Sequence, residues 1–173
     1  MRGLVRYVVF FAMKLKTRSV AIAGITHQPD EAWTTQIARN VTAVGDGCLH
    51  GMQYVILDRD PLYTAGFRRL LRDSGVTPLV LPAWSPNLNA FAERWVRSVR
   101  DECLGKLILF GESSLRHALT QFTEHYHSER NHQGKGNVLL FPGVEEFRQT
   151  CGPSIRCRER LGGLLKYYYP RVA

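Results

Sequence analysis

The sequence predicts an α/β fold, a mixed sheet flanked by helices. Three observations predict it. Short β-rich runs alternate with segments whose apolar residues recur at helical spacing, the pattern of a sheet covered by helices. The first two β-rich runs are separated only by the polar stretch KLKTR, so they read as a hairpin, which makes the sheet mixed rather than fully parallel. The chain has 173 residues and is 45% hydrophobic, enough to build one ordinary core.

In chain order, residues 4–13, LVRYVVFFAM, are a near-continuous apolar run, the signature of a strand buried on both faces. Residues 19–26, SVAIAGIT, form the second strand, where Gly24 marks a bulge, a close packing contact or an ordinary strand position. Asp30 is placed to cap a helix on which Trp33, Ile37, Val41 and Val44 face the core, and Gly45 and Gly47 end it. Residues 53–57 make the next strand and stop on Asp58. Pro61 opens a short helix with Phe67, Leu70 and Leu71 inward and Arg68, Arg69 and Arg72 outward, capped by Gly75. TPLVLP is a brief strand stopped by Pro82.

The loop AWSPNLNA follows, exposed and conformationally restricted, with Asn89 as N-cap of a helix starting at Ala90. On that helix Glu93, Arg97 and Arg100 share one face, while Phe91, Trp95 and Val99 cover others. A further helix over 114–127 carries Leu115, Leu119, Phe122 and Tyr126 in register, and HSERNHQGKGN after it is a polar, basic loop. Two regions are expected, a core over 1–145 and a basic tail over 146–173. The tail is either packed or unstructured, or it binds nucleic acid through Arg156, Arg158, Arg160 and Tyr167–Tyr169.

Composition narrows the function. A net charge of +8 and a pI near 9.6 suit a polyanion, nucleic acid first. No run approaches the roughly 18 apolar residues of a membrane span, so no membrane partner is expected. Lys14 and Lys16 interrupt the N-terminal apolar run early, which favours a strand over a signal peptide. The four cysteines, at 48, 103, 151 and 157, form no C-x-x-C pair, which excludes a zinc ribbon and disfavours a metal site of Cys103 with His125 and His127. Free thiols imply a reduced cytoplasmic protein, associated with the nucleoid when bound to DNA.

The chemistry concentrates in two carboxylates. Asp58 ends a strand, Glu93 lies on a helix, and 34 residues separate them. Carboxylates so placed can share a divalent cation, and hard oxygen ligands suit Mg²⁺ or Mn²⁺. Asp60 reads as a turn residue that tolerates positive φ, with a substitute ligand as the alternative. Arg94, Arg97 and Arg100 are candidates for phosphate contact, against the alternative of a solvated helix face.

These stretches, YVILDRDPLYT, SPNLNAFAERWVRSVRDECL and HYHSERNHQG, resemble the catalytic core of the DDE transposases and retroviral-type integrases, the bacterial insertion-sequence kind above all. Asp58 followed five residues later by Tyr63, then Ser85-Pro86, Asn89 and Glu93, match that family's order. The resemblance covers roughly residues 4–140. It implies a ribonuclease-H-like fold and metal-dependent strand transfer on DNA, with Asp58 and Glu93 as catalytic metal ligands. It also implies DNA contacts from Asn89, Arg94, Arg97, Arg100, His127, Arg130 and His132, the last three with an equal structural alternative. The family's first Asp lies upstream of the segment where this sequence begins, so a chain starting at Met1 is expected to be catalytically impaired. The implied partners are DNA and a second copy or a full-length transposase. A non-catalytic DNA-binding or inhibitory remnant is the alternative.

Overall fold

The structure, a computed structural model, describes residues 4–83, 85–132, 136–142 and 155–170. Trp84, Gln133, Gly134 and Cys151, quoted above, lie outside the described residues. The chain folds as two compact units, Met1–Ala12 with Ala21–Arg94, and Met13–Val20 with Trp95–Ala173. Among the described residues, hydrogen bonds join the strands in three pairs and not in one continuous sheet.

Strands β1 (Val8–Met13) and β2 (Val20–Thr26) pair as the expected hairpin, whose connection closes with Lys14 N–H donating to Ser19 O at 2.8 Å. Strand β1 is not buried on both faces. Every residue of β1 is only half-buried, and Leu4 and Val5 stand exposed ahead of it. Helix α1 (Glu31–Thr42) starts as predicted, with Asp30 Oδ1 accepting from Trp33 N–H at 2.7 Å. Ile37, Ala38 and Val41 bury their side chains, but the helix stops at Thr42 and leaves Val44 87% exposed, outside the core it was expected to join. Gly24 is a close-packing position. A Cβ there would collide with the Ile37 δ-methyl and stand 3.1 Å from Trp33 Cζ2.

Strand β3 (Tyr54–Leu57), helix α2 (Ala65–Asp73) and β4 (Thr77–Val80) make a βαβ unit, its strands parallel with Tyr54 opposite Thr77 and Leu57 opposite Val80. Pro61 falls in the turn before α2. The cap is Thr64, whose Oγ1 accepts from Phe67 N–H at 3.2 Å. At the other end Gly75 takes φ +81°, its N–H donates to Arg72 O at 2.9 Å, and Val76 N–H donates to Leu71 O at 2.9 Å. That is a Schellman cap, with Leu71 and Val76 both buried as its apolar contact. Leu57, Phe67, Leu71 and Val76 form one core with Ile37, Ala38 and Val41, and Phe10, Trp33 and Tyr63 pack against it.

The second unit takes α3 (Ala90–Glu102) from Trp95 onward, α4 (Gly111–Ser128) and an antiparallel hairpin of β5 (Ile155–Arg160) and β6 (Leu165–Pro170). Leu115, Leu119, Phe122 and Tyr126 are buried along α4, as their spacing predicts.

Core and cap separate cleanly in energy. Leu71→Ala should destabilise the fold by about 2–5 kcal/mol, and Thr64→Ala by about 1 kcal/mol. Urea unfolding of the two variants checks the order. A cap variant as damaging as the core variant would contradict this account of α2.

Candidate active site and nucleic-acid interface

Because β3 and β4 run parallel, their carboxyl ends share one edge of the pair. Asp58 follows Leu57 there, and Leu81 N–H donates to Leu57 O at 2.9 Å, extending the ladder one step. Arg59 Nε donates to Leu81 O at 3.2 Å across the same end. Asp58 therefore leaves the sheet where the segment leading to Glu93 also leaves it, the usual place for a ligand beside a parallel sheet.

The turn after Asp58 is held by its own acids. Asp58 Oδ1 accepts from Asp60 N–H at 3.2 Å, and Asp60 Oδ1 accepts from Leu62 N–H at 2.8 Å. Two Asx turns in succession fix the backbone without glycine. Asp60 thus serves the turn, and it does so without the positive φ that the sequence allowed for. Among the described non-glycine residues only Arg18, Asn137 and Leu161 take positive φ.

Asp58, Arg59, Asp60, Tyr63, Thr64 and Arg68 line a cleft of about 370 Å³. The Tyr63 ring packs 5.9 Å from Phe10 and 5.3 Å from Phe67. Burial, then the negative charges of Asp58 and Asp60, push its phenol above the ordinary tyrosine range, so it remains a protonated donor.

Glu93 sits exposed in the first turn of α3, and Arg94, Arg97 and Arg100 are exposed on the same helix, whose buried residues are Trp95, Ser98 and Val99. Asn89 is not an N-cap. A 3-10 turn, Pro86–Asn89, runs straight into α3, so the chain is already helical where a cap would be extended. Glu93 is not among the residues lining the cleft beside Asp58. Among the described residues no group of three or more His, Cys, Asp or Glu gathers as a metal cluster. Among the described residues Cys48, Cys103 and Cys157 form no disulfide.

The tract after α4 is held by contacts within its own unit. His127 Nε2 accepts from Val20 N–H at 2.9 Å, and burial, then the neighbouring His132, lower its pKa. His132 is buried, its Nε2 is 2.8 Å from Tyr126 O, and its ring meets Tyr126 edge-on at 4.5 Å. Arg130 forks onto Glu102 at 2.9 and 2.7 Å and lies over the Tyr126 ring. The three residues thus spend their polar groups on the shape of the tract.

Glu129 was not singled out by its sequence context. Its side chain is 1% exposed and accepts from His125 Nδ1 at 2.9 Å, from Arg158 at 3.3 Å and from Arg160 Nη2 at 2.7 Å. Arg160 also pairs with Glu124. Alternation along the hairpin puts Arg158, Arg160, Leu165, Tyr167 and Tyr169 on one face, with the two tyrosine rings stacked at 5.7 Å. The C-terminal stretch over 155–170 is therefore a docked hairpin, with Arg158 and Arg160 both paired to Glu129. Burial alone would raise the Glu129 carboxyl. Hydrogen bonds from Arg160, His125 and Arg158, with the charge of Arg160, outweigh that and hold it at about 2. The only signal available was an acid after a helix and two arginines about thirty residues on, with nothing local to link them.

No helix among the described residues is long and apolar enough to cross a membrane. Residues 74–138 match the family model described as the integrase core domain. That stretch includes β4, the 3-10 turn, α3 with Glu93, α4 and the bridge between His132 and Val138. No curated protein matches the chain.

The Glu129 cluster has a defined pH window. Its folded-state pKa lies below the ordinary 4.5, so its stabilisation is fully present above 4.5 and is lost as pH falls toward 2. Amide-exchange protection of residues 155–170 should drop across that window. In Glu129→Gln the protection should be reduced already at neutral pH.

Proposed function

With an integrase-type catalytic core over residues 74–138 as the premise, we propose that this chain acts on DNA in integration or transposition, by metal-dependent phosphodiester strand transfer. The observation that carries the proposal is the placement of Asp58. It stands at the carboxyl end of a parallel pair whose second strand leads directly into the segment bearing Glu93. A ribonuclease-H-like arrangement of the β1–β2 and β3–β4 pairs is part of the same proposal.

Asp58 and Glu93 are the residues that would hold the metal. Their oxygens fit Mg²⁺ or Mn²⁺ in chemical type, although the described carboxylates do not gather in a group of three. When bound, such ions activate the attacking oxygen and stabilise the leaving one. The chain's own residues supply position. The Asx turns hold Asp58 and its neighbours in a fixed loop. Asn89, Arg94, Arg97 and Arg100 contact the DNA backbone, where exposed guanidiniums neutralise phosphate charge. For His127, Arg130 and His132, their internal hydrogen bonds support a role in shaping the tract rather than in direct contact.

Calorimetric titration with Mg²⁺ and Mn²⁺ should show saturable binding that Asp58→Ala and Glu93→Ala each weaken at least tenfold. Unchanged binding in both variants would refute the metal assignment. Replacing Arg97 and Arg100 by Ala should weaken duplex binding about equally across sequences and lower its salt slope by about one per residue. A sequence-selective loss would assign those arginines to base edges instead.

A further inference from the structure

We propose that Arg59 and Arg68 form a phosphate-binding pair within the Asp58 cleft, seating the phosphodiester that the Asp58 carboxylate serves. The proposal rests on the DNA-processing function above and names residues which neither that function nor the family match assigns. Both guanidiniums and both acids, Asp58 and Asp60, line one cleft of about 370 Å³, ample for a phosphodiester with its flanking sugars.

Opposite charges lining one cleft often pair, yet among the described residues these do not. The arginines elsewhere that meet acids show the habit. Arg116 pairs with Glu112, Arg130 with Glu102, and Arg158 and Arg160 with Glu129. In the cleft the acids are occupied by backbone instead. Asp58 accepts from Asp60 N–H and Asp60 from Leu62 N–H. Arg59 is tethered through Nε to Leu81 O at 3.2 Å, and its terminal amino groups make no hydrogen bond or ion pair among the described residues. The Arg68 side chain makes none among the described residues either.

Two cations are thus held beside two anions without neutralising them. That arrangement suits a bridging ligand, in which a cation sits against the carboxylates while the phosphate it contacts sits against the guanidiniums. The amino end of α2 adds to this. Its cap, Thr64, lines the same cleft, so the positive end of the helix dipole opens onto it.

The test is duplex-DNA binding by the whole chain over a range of salt concentrations, for the unaltered protein, the Arg59→Ala/Arg68→Ala double variant and the Arg59→Lys/Arg68→Lys double variant. The alanine pair should lose roughly tenfold or more in DNA affinity and lower the salt slope by about two, while Mg²⁺ binding is retained or strengthened and the urea transition stays cooperative. The lysine pair should restore the slope, which depends on charge, but only part of the affinity, which depends on the planar fork. If the unaltered protein binds DNA and the alanine pair keeps both affinity and slope, the proposal is wrong while the broader function stands. If the unaltered protein binds no DNA, the broader function fails and this proposal with it.

Discussion

The burial of one face of α2 against the parallel pair β3–β4 governs the first unit. Phe67 and Leu71 are 1% and 0% exposed, and they hold the helix to Leu57 and to Val76 just before β4. A two-stranded parallel sheet has little stability of its own, because its ladder is short and one step of pairing orders few residues. The helix therefore has to hold the strands in register. Only with the strands parallel and in that register do Asp58 and the segment leading to α3 emerge together. The chemistry is downstream of two buried side chains.

Electrostatics divides the charged residues of this basic chain into two kinds. Glu129, Glu102 and their arginines are consumed internally, where buried or half-buried guanidinium–carboxylate forks hold helix to tract and hairpin to helix. Arg59, Arg68, Arg94, Arg97 and Arg100 have no such partner acid among the described residues. A net charge of +8 alone could not tell the two apart. What separates them is whether the fold brings an acid within reach, and several of those acids are far away in sequence.

The sequence made local features legible. The Asp30 cap, the strand ending on Asp58, the inward face of α2 and the apolar register of α4 each depend on spacing within about one helical turn or one strand. Val44 went wrong because periodicity continues past the point where the helix ends at Thr42. Asn89 went wrong because a 3-10 turn can extend a helix backward through a residue suited to capping it. The β1–β2 hairpin was legible in its short polar connection, whereas the docking of the C-terminal hairpin depends on contacts between distant residues and had no local trace. The carboxylates at 58 and 93 were legible as chemistry, while the arginines of the Asp58 cleft were hidden as ordinary turn and helix-surface charge.

The Glu129 cluster also sets a minimum length for a well-folded second unit. A version of the chain shortened to end before Ile155 would take away both guanidiniums and the strands that carry them, leaving Glu129, 1% exposed in the intact unit, with His125 as its remaining partner in the cluster. With the hairpin gone the Glu129 carboxylate would be reopened to water, so what the second unit loses is the guanidinium–carboxylate forks that tie hairpin to helix. Residues 155–170, easily dismissed as a disposable basic extension, therefore act as a structural cofactor for the helix that precedes them.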